Sequence, residues 1–309
     1  MLKIKQIGLL VFSVAIFSQL KAQTDADAIM MNKNQMCSGP MYNYSTWDHY
    51  WEGTFKRVNQ NIGSVTAESV MYMGVYGITD KLNIMVGAPY VWTHASAGTL
   101  HRSRGLQDIS AFVKWKPLVY SFGKNKLSVF VLGGFSTPLT NYEIDYLPLT
   151  VGLGSTNLTG KAMVDFQHKR FSITASADYI RRSNVKIDRT TYYDTRQHIT
   201  NEVEMPDAAR FQLRSGYRGK YLLAEAVLTN STTLGGFDIT RNNMPFPSNR
   251  MNMTTIGAAV KYTLKQDTHM SLMAGGNYTI AGRNVGQAKA FNVGVFYALY
   301  VKKQTQTKE

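Results

Sequence analysis

The chain has 309 residues, 34 Lys and Arg against 20 Asp and Glu, a formal charge of +14 and a mean hydropathy of −0.21. No apolar run reaches the roughly 18–20 residues that a membrane-crossing helix needs, which excludes helical membrane proteins. Charged residues, at 17%, fall below the roughly 25% of ordinary soluble domains, aromatics reach 12%, and a single Cys excludes a disulfide framework or a multi-thiolate metal site.

Lys3 and Lys5 precede an apolar stretch over 7–17, and Leu20-Lys21-Ala22 offers a small residue before Gln23. This is the charged, apolar, small-residue order of a secretory signal peptide over 1–22. Its removal takes away Lys3, Lys5 and Lys21 and lowers the formal charge from +14 to +11. Cys37 lies too far downstream to accept a lipid.

Residues 23–46 show no period-two pattern and predict an N-terminal non-barrel segment, either a periplasmic tail or a plug folded into a lumen. The candidate plug residues are Met30, Met31, Met36, Cys37 and Met41, followed by Tyr42 and Tyr44. Soft sulfur ligands such as these suit Cu(I), against the simpler reading of loosely packed Met residues; no metal or other cofactor is assigned.

From residue 47 onward, apolar residues alternate with small and polar ones. Ile256, Ala258, Val260, Tyr262 and Leu264 share one face, while Thr255, Gly257, Ala259, Lys261 and Thr263 share the other. Only a strand separates these sets completely. The pattern predicts about twelve strands over 47–57, 64–77, 81–93, 106–118, 126–137, 158–168, 171–180, 209–218, 220–229, 254–265, 269–280 and 290–301. Short and long connections alternate after the first hairpin, as in a barrel with periplasmic turns and long outer loops. A secreted sandwich or lipocalin-like barrel would put its apolar face inside. Here the other face carries Lys, Arg, Asn and Gly, so the apolar face has only lipid to pack against. The expected fold is all-β, a transmembrane antiparallel β-barrel over 47–301 in the cell outer membrane, with a polar tail over 302–309. The last strand has the aromatic alternation recognised by barrel-assembly machinery.

Two stretches carry a family resemblance. Tyr76-Gly77-Ile78-Thr79-Asp80-Lys81-Leu82 runs on to Val86 and Pro89-Tyr90, and Gly105-Leu106-Gln107-Asp108-Ile109 is followed by Lys114-Trp115. Both resemble the meta-pathway phenol degradation family of outer-membrane proteins. The resemblance implies an outer-membrane barrel that passes small hydrophobic or amphipathic compounds, and names no substrate.

Residues on the non-lipid faces are lumen candidates: Glu68, Lys114, Asp178, Arg210, Arg214, Arg218, Glu225, Lys261 and Asn277. Basic groups outnumber acids, which favours anions in a narrow pore unless the charges pair as filling. His94 and Ser96 have the His-x-Ser spacing of outer-membrane phospholipases, but Ala97-Gly98 stands where that pattern has Asn-Gly, and no third member can be assigned. A transport barrel is therefore expected, with a structural or surface-interaction barrel as its competitor and a lipid-modifying esterase a distant third. Excess charge at Arg102 and Arg104 suits anionic lipid headgroups rather than nucleic acid. The expected partners are outer-membrane lipid, the assembly machinery and a small hydrophobic solute. The segment 181–196 is expected to fold over the mouth or bind a partner.

Overall fold

The computed structural model describes residues 23–99, 102–240 and 243–301. The expected signal peptide and the polar tail lie outside the described residues. Twelve long strands carry the fold: β1 Gln35–Trp47, β2 Val65–Thr79, β3 Leu82–Ala95, β4 Asp108–Phe122, β5 Asn125–Pro138, β6 Asn157–His168, β7 Phe171–Arg182, β8 Ala208–Arg218, β9 Leu222–Thr233, β10 Asn252–Thr263, β11 Met270–Arg283 and β12 Lys289–Tyr300. Each pairs antiparallel with the next, and β12 pairs with β1 from Gln35↔Tyr300 to Thr46↔Lys289. Closure leaves no open sheet edge around the wall, so the strand backbones are satisfied without water.

The wall is inside-out relative to a soluble protein. Val113, Trp115, Val131, Leu213, Ile256 and Val293 are exposed on the outer face, whereas Lys114, Lys161, Asp165, Asp178, Glu225 and Lys261 are buried within. Apolar surface of that extent is stable only against lipid.

Strands β2 to β12 fall within four residues of their expected ends. The first strand does not. β1 occupies 35–47, inside the expected non-barrel segment, and the expected strand 47–57 is instead a small outer hairpin of His49–Glu52 with Phe55–Val58. Gly39-Pro40 in the middle of β1 breaks the alternation. Pro40 has no N–H for the ladder, and the pairing with β12 lapses between Ser38↔Tyr297 and Met41↔Gly294. Gly39 is needed there: a Cβ would sit 1.9 Å from the Val295 carbonyl oxygen.

A shorter strand, Arg102–Leu106, extends β4 along the outer end of β3. The register shifts by one residue between Gly87↔Ser110 and Tyr90↔Leu106. Gln107 sits at that bulge and donates its N–H to the Pro89 carbonyl at 3.0 Å.

Candidate functional site: the barrel lumen

Strand parity sorts the inner face into two unlike walls. On one side β1, β2, β3, β5 and β12 contribute Cys37, Met73, Val75, Met85, Phe130, Leu132, Phe296 and Ala298, which form a buried cluster with Met163 of β6. Met41, Met71, Phe112 and Met273 pack against it. Unbranched thioether side chains fill irregular space and adapt to varied apolar shapes.

On the other side, β6 to β10 carry a ladder of ion pairs. Arg218 bridges Asp165 at 3.0 Å and Glu225 at 3.2 Å, and Arg214 holds Glu225 at 2.8 Å. Arg210 donates to Asp178 through Nε at 2.7 Å, and Lys161 lies 3.6 Å from the same carboxylate. Lys114, from β4, lies at the seam between the walls, with its ammonium 5.5 Å from the Phe130 ring centroid. Taken with Lys261, six wall cations face three wall acids.

Residues 23–34 run inside the barrel and contact both walls. Lys114 Nζ donates to the Thr24 carbonyl at 3.1 Å and to the Asp27 carbonyl, and lies 3.5 Å from the Asp27 carboxylate. Asp25 lies 3.8 Å from Lys161 and 3.9 Å from Arg210. These two acids reduce the excess of cations over acids in the network from three to one. Met31, fully buried, enters the apolar cluster with Ala28 and Met30 beside it. Its amide donates to the Gln23 side chain, which meets Asn83 of β3.

The segment leaves the lumen through contacts with the β2–β3 turn. Asn34 N–H donates to the Gly77 carbonyl at 2.8 Å, Lys33 N–H to the Asp80 carboxylate at 2.8 Å, and the Tyr76 hydroxyl to the Asn34 side chain at 3.2 Å. Gly77 has no room for a side chain, since a Cβ would lie 2.1 Å from the Asn32 carbonyl oxygen. The stretch 76–80, one of the two that carry the family resemblance, therefore anchors the segment.

Of the lumen candidates, Lys114, Asp178, Arg210, Arg214, Arg218, Glu225 and Lys261 meet in this network, and Asn277 shares the inward parity of β11. Glu68 does not: it lies on the outward face of β2, opposite Tyr44 and Trp92, and accepts a bond from the Tyr42 hydroxyl. Parity decides this, since Glu68 shares a face with exposed Val70 and Tyr72 while Met73 and Val75 point inward. The plug candidates divide as well. Met30 and Met31 belong to the internal segment, and Cys37 and Met41 point inward from β1, but Met36 is exposed on the outer face. Sequence reasoning left out Asp25 and Asp27, which have no strand pattern around them, and Lys161 and Asp165, whose inward parity on β6 was available.

His94 and Ser96 are not joined by any hydrogen bond among the described residues. The Ser96 hydroxyl instead accepts from the Ser64 amide at 2.8 Å.

Three outer loops share a core of their own. Ile144, Val185, Ile187, Val203 and Met205 pack together, with Tyr142, Tyr192 and Phe246 around them. The 139–156 loop also folds inward, where the Leu149 carbonyl accepts from the Thr93 hydroxyl of β3 at 2.5 Å. The hairpin of Tyr192–Tyr193 with Gln197–His198 stacks Tyr192 on His198 at 4.4 Å and on Phe246 at 5.4 Å. Burial works to raise the Asp194 carboxyl at its tip, but the amides of Arg196 and Thr195 and the His198 ring hold it down to about 2.

The inside-out wall and its closed lumen define a transmembrane antiparallel β-barrel of the outer-membrane type. The chain belongs to the family described as "Putative MetA-pathway of phenol degradation", whose model matches residues 56–294. Among solved structures it is similar to the COG4313 outer membrane channel from Pseudomonas putida F1, with a TM-score of 0.70 and 15% identity, covering 90% of this chain and 100% of that one. The NanC porin matches with a TM-score of 0.44 and 9% identity, over 84% of this chain and 100% of that one. The translocator domain of the autotransporter NalP from Neisseria meningitidis has the same score and identity, over 88% and 90%. A sequence comparison with curated proteins returns no match.

Proposed function

We infer that the protein is a passive outer-membrane channel for small hydrophobic or amphipathic compounds, closed at rest by residues 23–34. The observation that carries this reading is the docked segment. It places two acids in the cation-rich wall and Met31 in the apolar wall. Membership of the phenol-degradation family and the fold shared with a channel support transport over a purely structural barrel. With the segment displaced, the methionine wall offers a hydrophobic solute an adaptable lining, and the ladder opposite offers it hydrogen-bond partners. The Ser96 hydroxyl accepts from the Ser64 amide and has no hydrogen bond to His94 among the described residues, so this pair gives an esterase no base-activated nucleophile.

The test is uptake into liposomes of an alkyl phenol and of a small sugar. It compares the mature protein with a form lacking 23–34. The channel reading expects faster uptake of the phenol on truncation. Equal and negligible uptake of both probes by both forms would favour a structural or surface-interaction barrel.

A further inference from the structure

We propose that Arg102 and Arg104, with His94 and the rings of Trp92 and Tyr90, form a binding site on the outside of the wall for the phosphate group of an anionic outer-leaflet glycolipid. These residues line a cavity of about 840 Å³ at the outer end of β3. The register places Arg104 opposite Trp92 and Arg102 opposite His94. Residues directly opposite on one face have Cβ atoms about 5 Å apart, so each Arg shares the outward face with an aromatic residue of β3, and the two Arg follow one another on that face.

The contrast with the lumen carries the argument. There, Arg210, Arg214 and Arg218 each hold a carboxylate. Arg102 and Arg104 are exposed, and their side chains have neither ion pair nor hydrogen bond among the described residues. Glu68, which shares the outward face beside Trp92, is engaged by the Tyr42 hydroxyl. Two uncompensated cations on a membrane-facing wall call for an external anion.

Their level identifies its source. Tyr90 and Trp92 of the site continue into Tyr42, Phe291 and Tyr44 as one ring cluster along the wall, the arrangement of an aromatic girdle at a bilayer interface. Further toward the bilayer centre, β3 presents Val86 and Ile84 to acyl chains. A phosphate held here would belong to a molecule whose chains lie along that wall. The guanidinium fork matches phosphate oxygens bidentately, and both rings keep one face wet and one apolar.

Native mass spectrometry of the mature protein in a neutral detergent tests this. The probes are bis-phosphorylated lipid A, its dephosphorylated form, and inorganic phosphate as competitor. The wild type is expected to bind the phosphorylated lipid about thirty-fold more tightly than an Arg102→Gln/Arg104→Gln variant, the effect of two cations near an anionic surface. Both proteins should bind the dephosphorylated lipid equally, and a Lys169→Gln control at the opposite rim should match the wild type. Single Arg102→Gln and Arg104→Gln variants, checked for folding by heat-dependent gel mobility, should each lose part of the effect. Unchanged affinity in these variants would overturn the proposal. Displacement of the lipid by equimolar inorganic phosphate would overturn it as well, since the site would then be one for a free anion.

Discussion

On the β1–β5 side of the lumen, Met73, Met85, Phe130 and Leu132 are buried without a polar contact among their side chains, and shape alone holds them together. On the β6–β10 side, Lys161, Asp178 and Glu225 are buried just as deeply, but each depends on a named partner. The apolar wall adapts to substitutions that keep its volume, because dispersion contacts are many and individually weak. The charged wall does not, because a buried ion that loses its partner is left without solvation. Residues 23–34 touch both, so the way the segment is held depends on which wall is altered.

The largest effect separates the segment from the strand that follows it. Deleting 23–46 removes most of β1 and with it the pairing to both β2 and β12, so no closed barrel should form. Deleting only 23–34 should leave heat-resistant gel mobility intact. Two forms that fold equally well would show that β1 is dispensable and would break the account of closure.

Next come the polar anchors. Lys114→Met strands the Asp27 carboxylate in the lumen, and a broken buried pair costs about 3–5 kcal/mol. The segment should then become open to periplasmic-side protease. Gly77→Ala should free it from the other end, by driving a Cβ against the Asn32 carbonyl. Resistance to protease in both variants would mean that the apolar contacts of Met31 suffice.

On the methionine wall, Met163→Ala should lower stability to urea by about 2–4 kcal/mol, whereas Met36→Ala, on the lipid face, should cost well under that. Equal losses would remove the distinction between packed lumen and lipid-facing surface.

A subtler effect concerns ions. Without Asp25 and Asp27 the charged wall carries three more cations than acids, so the 23–34 deletion should shift the reversal potential across a salt gradient toward anions. A potential unchanged from that of the mature protein would show that the ladder does not set the field in the pore.

The smallest effect lies in the outer loops. Asp194 is held down to about 2 from 3.8, so its contribution to the 192–198 hairpin is complete above pH 3.8 and is lost as pH falls toward 2. The protection factors of the Thr195 and Arg196 amides, corrected for intrinsic exchange, should fall as pH drops through that window and stay level above it. Protection factors that are level throughout would show that the carboxylate does not order the hairpin.

Strand alternation made the barrel legible, since Thr255 to Thr263 or Leu127 to Phe135 admit no helical reading. Parity within a clear strand fixes which way a side chain points, and Lys114, Arg214 and Lys261 lie on the inward parity of their strands. Alternation failed where parity had no frame. Gly39-Pro40 hid β1, so Met36 and Cys37 could not be assigned to opposite faces. Glu68 was expected on the non-lipid face, although exposed Tyr72 and Val70 on the same face assign it outward. Asp25 and Asp27 lie in a segment without periodicity, and only the cation excess of the wall hinted that acids from elsewhere were needed.

The most direct test of the central claim is planar-bilayer conductance of the mature protein beside the form lacking 23–34, in the same lipid and salt. The account predicts a nearly silent mature protein and steady open-channel current from the truncated one, with addition of a peptide spanning 23–34 reducing that current. Equal conductance in the two forms, whether high or low, would contradict closure of the lumen by this segment.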